Sequence, residues 1–119
     1  GAERLGLAEC LGRAAEARLA LPPLTPPVFG ALKACCVAAV RLGLRQDEFA
    51  LLMALRLPAQ PLHCDMVWSA LLGRNPATRR AYEARVARRG GRDLGAGSVA
   101  AAGLVLAWTW ERYWRGGGG

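Results

Sequence analysis

The sequence predicts an all-α domain, a compact bundle of five to six helices joined by short loops that contain proline and glycine. Alanine is the commonest of the 119 residues, isoleucine is absent, and no alternating apolar–polar pattern exceeds four residues, so strands are not expected. Prolines and glycines divide the chain into lengths whose apolar residues recur every three or four positions, as in helices. We expect residues 1–115 to form this single domain, with 116–119 as a glycine tail or linker.

The first two predicted helices flank a proline-rich connector. The first runs from Glu3 to about Leu21, where its apolar residues recur at helical spacing. The connector Pro22–Pro27 ends that helix, because a proline ring removes a hydrogen-bond donor and clashes with the preceding turn. Thr25 is expected to cap the second helix, which Gly43 ends.

The later helices are predicted from polar starts and from proline or glycine ends. The third begins at the acidic segment 46–48, which suits a helix N-terminus, and extends to about Leu57. Because this helix is apolar all round except for Arg56, we expect it to be the central and most buried element. The bounds predicted for the others are Leu62–Leu72, Ala77–Arg89 and, with Ser98 as cap, Val99 to about Arg115.

Positive charge is concentrated in one segment of a chain whose formal net charge is +7. Residues 74–92 hold seven arginines against one acid, Glu83. Four of these arginines would share one face of a helix: Arg85, Arg88, Arg89 and Arg92. Such a face suits an acidic protein surface or the phosphates of a nucleic acid, and it is also typical of a solvated helix end without a partner. The candidate contact residues are Arg79, Arg80, Arg85, Arg88, Arg89 and Arg92.

The aromatic C-terminal helix is the second candidate surface. Leu94 to Trp110 is a run of 17 residues without charge, shorter than the ~20 that span a bilayer, so a membrane is not the expected partner. We expect this helix to pack in the core through a stripe of Val99, Gly103, Leu106, Trp110 and Trp114. An exposed tryptophan would mark an interface with a protein partner or within a homodimer. The candidates are Trp108, Trp110 and Trp114.

No pattern in the sequence predicts catalysis or a cofactor. The only histidine, His63, lies next to Cys64, and adjacent residues on a helix face apart. Paired carboxylates, C-x-x-C and a phosphate-binding glycine loop are missing, so we expect no enzyme, no metal and no cofactor. We interpret the four cysteines as small buried hydrophobes. With no basic-then-apolar leader, they indicate an intracellular protein in a reducing compartment, cytoplasmic or nuclear.

Two functions are compatible with this pattern. The first is a non-enzymatic helical protein-interaction module that binds an acidic protein surface or a partner helix through the arginine-rich helix (74–92) and the aromatic C-terminal helix. The alternative is a nucleic-acid-binding domain that uses the same basic helix. No motif in the chain identifies a family.

Overall fold

The computed structural model describes residues 25–56 and 61–118, apart from the side chains of residues 56, 61, 62 and 115–118. Within this part the chain forms helices and no strand, which confirms the all-α prediction. The first predicted helix and residues 22–24 of the connector lie outside the described residues. The helices are α1 (Pro26–Leu42), α2 (Gln46–Arg56), α3 (Pro61–Arg74), α4 (Pro76–Arg89) and α5 (Ala96–Gly118).

Helix α1 is the element around which the described bundle packs. It lies against α3 and, most extensively, against α5, while α2 contacts both α3 and α5. The sequence predicts α2 as the most buried element, and the structure differs: α1 is longer and buries more side chains, whereas Leu55 of α2 is 56% exposed. The largest fully buried side chains are Phe49, Leu32, Leu44, Met53 and Leu106.

The turn between α1 and α2 is fixed by glycine, as the sequence predicts. Gly43 has φ of 75°, a left-handed conformation that residues with a Cβ rarely adopt. Its N–H donates to the Val40 carbonyl at 3.1 Å, and the Leu44 N–H donates to the Ala39 carbonyl at 3.0 Å. These two bonds satisfy carbonyls at the end of α1 and hold the turn against the bundle.

Two predicted helix caps are not observed. Thr25 occupies the N-cap position of α1, but its side chain makes no capping hydrogen bond; its carbonyl accepts the N–H of Phe29 at 2.8 Å. Helix α5 begins at Ala96, so Ser98 lies inside the first turn instead of preceding it. At its other end α5 continues to Gly118, and the predicted glycine tail therefore begins within the helix.

Candidate functional site

The arginine-rich helix predicted from the sequence is α4, and its Arg89 is bound to the body of the molecule. Arg89 Nη1 and Nη2 donate to the two carboxylate oxygens of Glu48 at 2.7 and 2.8 Å. The same nitrogens reach the carbonyls of Gly43 and Arg92, both at 2.9 Å. The side chains of Arg89 and Glu48 are only 19% and 13% exposed. Arg89 therefore links α4 to the start of α2 through a bidentate, largely buried pair, and to the α1–α2 turn through the Gly43 carbonyl.

Two further side chains of α4 dock on the same turn. Arg85 Nη1 donates to the Val40 carbonyl at 2.8 Å, and the Arg85 stem covers Gly43 so closely that a Cβ there would lie 3.4 Å from Arg85 Cδ. The hydroxyl of Tyr82, which is buried, donates to the Leu44 carbonyl at 2.7 Å. In these contacts polar groups of α4 donate hydrogen bonds to backbone carbonyls at and just beyond the end of α1.

The other arginines of the basic segment have fewer contacts. Arg92 Nε donates to the Arg89 carbonyl at 2.9 Å, and Arg79 Nε lies 3.9 Å from Glu83 Oε1 in an exposed pair one helical turn apart. Arg80 and Arg88 are exposed, and neither has a hydrogen-bond or ion-pair partner among the residues that the structure describes. The face predicted from sequence thus divides into structural and solvated side chains.

The Glu48–Arg89 pair gives stability a specific pH dependence. Burial alone would raise the pKa of Glu48, but hydrogen bonds from Arg89 and from the Arg45 N–H, with the charges of both arginines, lower it below the ordinary value. The pair therefore contributes fully above the unfolded-state pKa of about 4.3, and its contribution is lost as the pH falls through the lower folded-state pKa. We expect Glu48→Gln to lower the melting temperature at pH 7. As the pH approaches 3, the melting temperature of this variant should approach that of the parent chain.

Melting temperatures of both proteins across this pH range test the assignment. Glu83→Gln is the matched control, because Glu83 is exposed and its only described ion pair is the long one with Arg79. The Glu83→Gln curve should run parallel to that of the parent chain. If the melting temperatures of Glu48→Gln and the parent chain differed by the same amount at every pH, the pH dependence would not come from the Glu48–Arg89 pair.

The three candidate tryptophans lie in different environments. Trp110 is 5% exposed and belongs to the core, as the predicted stripe requires. Its ring stacks on that of Trp114, with ring centroids 5.9 Å apart. Trp114 itself is 40% exposed, so the buried stripe ends at Trp110 and does not include Trp114 as predicted. Trp108 is 62% exposed, and the Arg112 guanidinium carbon lies 5.2 Å from its ring centroid. Trp108 is thus the most exposed of the three.

Trp108 belongs to an apolar surface on the outer side of α5, which we call the α5 contact face: Leu104, Val105 and Trp108. Leu104 is 64% exposed and lies one helical turn before Trp108, while Val105 is also exposed. The opposite side of α5 carries the buried Leu106 and Trp110. The α5 contact face therefore offers apolar area that no described part of the chain covers, beside a tryptophan.

A groove of about 460 Å³ between α1 and α5 borders this face, and we call it the cationic groove. Its polar and aromatic lining residues are Lys33, Arg41, Trp108, Thr109, Arg112 and Tyr113. Small and aliphatic residues of α1 complete the lining: Gly30, Ala34, Val37 and Ala38. Trp108 is common to the groove and to the α5 contact face, so the two form one continuous surface.

The cationic groove carries positive charge that the described residues around it do not compensate. No carboxylate occurs among the described residues that line it, and neither Lys33 nor Arg41 has an ion-pair partner in the described part of the chain. Several carboxylates contact arginines elsewhere. Asp47 and Asp93 pair with Arg45, and Glu48 pairs with Arg89. A negatively charged ligand would therefore meet three cations that no described carboxylate neutralises.

Sequence reasoning identified Trp108 but not the groove beside it. A signal was present: Lys33 and Arg41 are the only charged residues of α1, in a helix otherwise made of apolar and small residues. Their common position beside Arg112 depends on how α1 packs against α5, which helical periodicity does not specify.

The described cysteines are structural. Cys35, Cys36 and Cys64 are free and buried, and burial raises the pKa of each thiol to about 12, so the unreactive thiol form prevails at neutral pH. Cys35 Sγ donates to the Leu106 carbonyl at 3.4 Å, joining α1 to α5. Cys10 lies outside the described residues. In the described ranges, no three His, Cys, Asp or Glu side chains are grouped to hold a metal ion.

Comparison with known proteins gives no relative of this chain. Neither a protein-family model, nor a curated protein, nor a solved structure matches it. Over the residues that the structure covers, none of the helices combines the length and apolar character that crossing a membrane requires.

Proposed function

We propose that this chain is a non-enzymatic protein-interaction domain that binds a helical segment of another protein on the α5 contact face and the adjoining groove. The observation that carries the proposal is the 62% exposure of Trp108, between exposed aliphatic residues on one side and a groove on the other. Tryptophans that become buried on binding dominate the energetics of many interfaces. Helices commonly dock by placing an apolar face in such a groove.

The surface favours a protein over a nucleic acid. Interfaces with nucleic acids are polar and strongly positive, and their energy comes from phosphate contacts and base stacking. Leu104 and Val105 supply neither, but they suit the apolar side chains of a partner helix. Of the predicted arginine face on α4, Arg85 and Arg89 are engaged with the molecule's own carbonyls and with Glu48, which weakens the nucleic-acid alternative on that helix.

A second copy of this chain is a weaker candidate for the partner. Each copy carries a formal net charge of +7, so association would bring two strongly positive molecules together. The groove cations would add to this repulsion wherever they faced each other. A partner of opposite charge gains from the same field.

Selection of peptides from a random display library tests the proposal. With the full chain as bait, we expect enrichment of peptides whose affinity falls about 30-fold or more in Trp108→Ala, because removing a tryptophan anchor costs on the order of 2 kcal/mol. Circular dichroism should show an unchanged fold, since the indole is mostly exposed.

Met66→Ala is the matched control, because Met66 is a large exposed hydrophobic residue of α3 that does not line the groove. This variant should bind the selected peptides as the parent chain does. Failure to enrich any peptide, or equal binding by Trp108→Ala and Met66→Ala, would contradict the proposed function.

A further inference from the structure

From the cationic groove we infer the kind of helix that binds there: an acidic amphipathic helix with two carboxylates seven or eight residues apart and an apolar anchor between them. This inference rests on the proposed function and adds the chemistry of the partner. It follows from where the three cations lie and from what separates them.

The distance between the cations of α1 sets the spacing of the carboxylates. Lys33 and Arg41 are eight residues apart in one continuous helix, which places their Cα atoms about 12 Å apart along the axis at 1.5 Å per residue. A partner helix lying along the groove spans the same distance in seven or eight residues. Carboxylates at positions i and i+7 or i+8 would then each meet one cation of α1.

The third cation belongs to the opposite wall. The Arg112 guanidinium lies over the Trp108 ring, with 5.2 Å from its Cζ to the ring centroid. A guanidinium stacked in this way keeps the N–H groups at its edge for a carboxylate, because the ring contacts only its planar face. Arg112 can thus bind an acid of the partner while Trp108 contacts its apolar side chains.

The lining between the cations is apolar and suits an anchor side chain. Val37 and Ala38 lie between Lys33 and Arg41 along α1, and all four residues line the groove. The groove volume of about 460 Å³ is of the size that accommodates a bulky inserted group. The anchor of the partner is therefore expected three or four residues after its first carboxylate, on the same helix face.

Two synthetic helical peptides of equal net charge test the predicted spacing of the two carboxylates. One carries glutamates seven residues apart with leucines between them, and the other carries the same residues with the glutamates three apart. A third peptide replaces both glutamates with glutamine. Fluorescence anisotropy with the full chain should show the seven-residue spacing binding about tenfold tighter than either of the others.

Variants of the protein locate the effect. Lys33→Gln or Arg41→Gln should remove most of the tenfold preference. The matched comparison is Arg80→Gln, an exposed cation of α4 outside the groove, which should retain it. Equal affinity of both glutamate peptides, or loss of the preference in Arg80→Gln, would overturn the inference. Displacement of the peptide by a thymidine oligonucleotide at lower concentration than by unlabelled peptide would overturn it in favour of a nucleic acid.

The outcome separates this inference from the function on which it rests. If library peptides bind through Trp108 without any preference for carboxylates, the proposed interaction domain is supported and the inference of an acidic partner helix is wrong. If the library yields no peptide that depends on Trp108, the interaction domain itself is wrong.

Discussion

Leu52→Asp is expected to unfold the domain at 25 °C, whereas Leu55→Asp, three residues further along α2, is expected to leave it folded. Leu52 is 3% exposed and belongs to the hydrophobic core. A carboxylate there would lose its hydration without gaining a partner, at a cost of about 5 kcal/mol or more, comparable to the whole stability of a small domain. Leu55 is 56% exposed, so its replacement should cost less than about 1 kcal/mol.

Far-ultraviolet circular dichroism and urea denaturation of the two variants provide the measurement. The comparison is matched because both changes introduce the same charge into the same helix. A cooperative unfolding transition for Leu52→Asp close to that of the parent chain would show that the core has been placed wrongly. Unfolding of both variants would mean that α2 tolerates no added charge, contrary to the exposed position of Leu55.

Arg89→Gln is expected to destabilise the fold by about 3 kcal/mol. The change leaves the largely buried Glu48 carboxylate without its bidentate partner and removes the donors to the carbonyls of Gly43 and Arg92. Arg88→Gln, next to it in α4, should change stability by less than about 0.5 kcal/mol, because Arg88 is exposed and has no partner among the described residues.

Urea denaturation measures this difference directly. If Arg88→Gln and Arg89→Gln had equal effects, α4 would not be held by the contact with Glu48. Its arginines would then form one undivided exposed face, as the sequence predicts. The expected difference in stability distinguishes the structural Arg89 from its neighbour Arg88, which lies on the surface.

Much of the fold follows from local chemistry, and for that reason it could be predicted. Proline cannot continue a preceding helix, glycine tolerates the left-handed turn at Gly43, and apolar residues at helical spacing identify the buried sides of α1 and α5. The stripe through Leu106 and Trp110 was predicted for the same reason. Helix type, approximate bounds and core faces therefore lie within reach of the sequence.

The position of charged side chains in space depends on packing and was harder to predict. Arg85 and Arg88 look alike on a helical projection, but only Arg85 faces the carbonyls at the end of α1. In the same way, Lys33 and Arg112 are far apart in the chain and line one groove only because α1 packs against α5. Sequence periodicity identifies a helix face, and it does not say which face its neighbour presents.

The tryptophan indole N–H signals offer the most direct test that the groove beside Trp108 is the binding site. The chain has four tryptophans, and a ¹⁵N–¹H spectrum of the full chain, assigned with Trp108→Phe, separates them. On titration with the acidic peptide whose glutamates are seven residues apart, we predict that the Trp108 signal shifts most and that the signal of the buried Trp68 stays in place. An unmoved Trp108 signal, with shifts at the backbone N–H groups of Arg80 and Arg88 instead, would contradict the account.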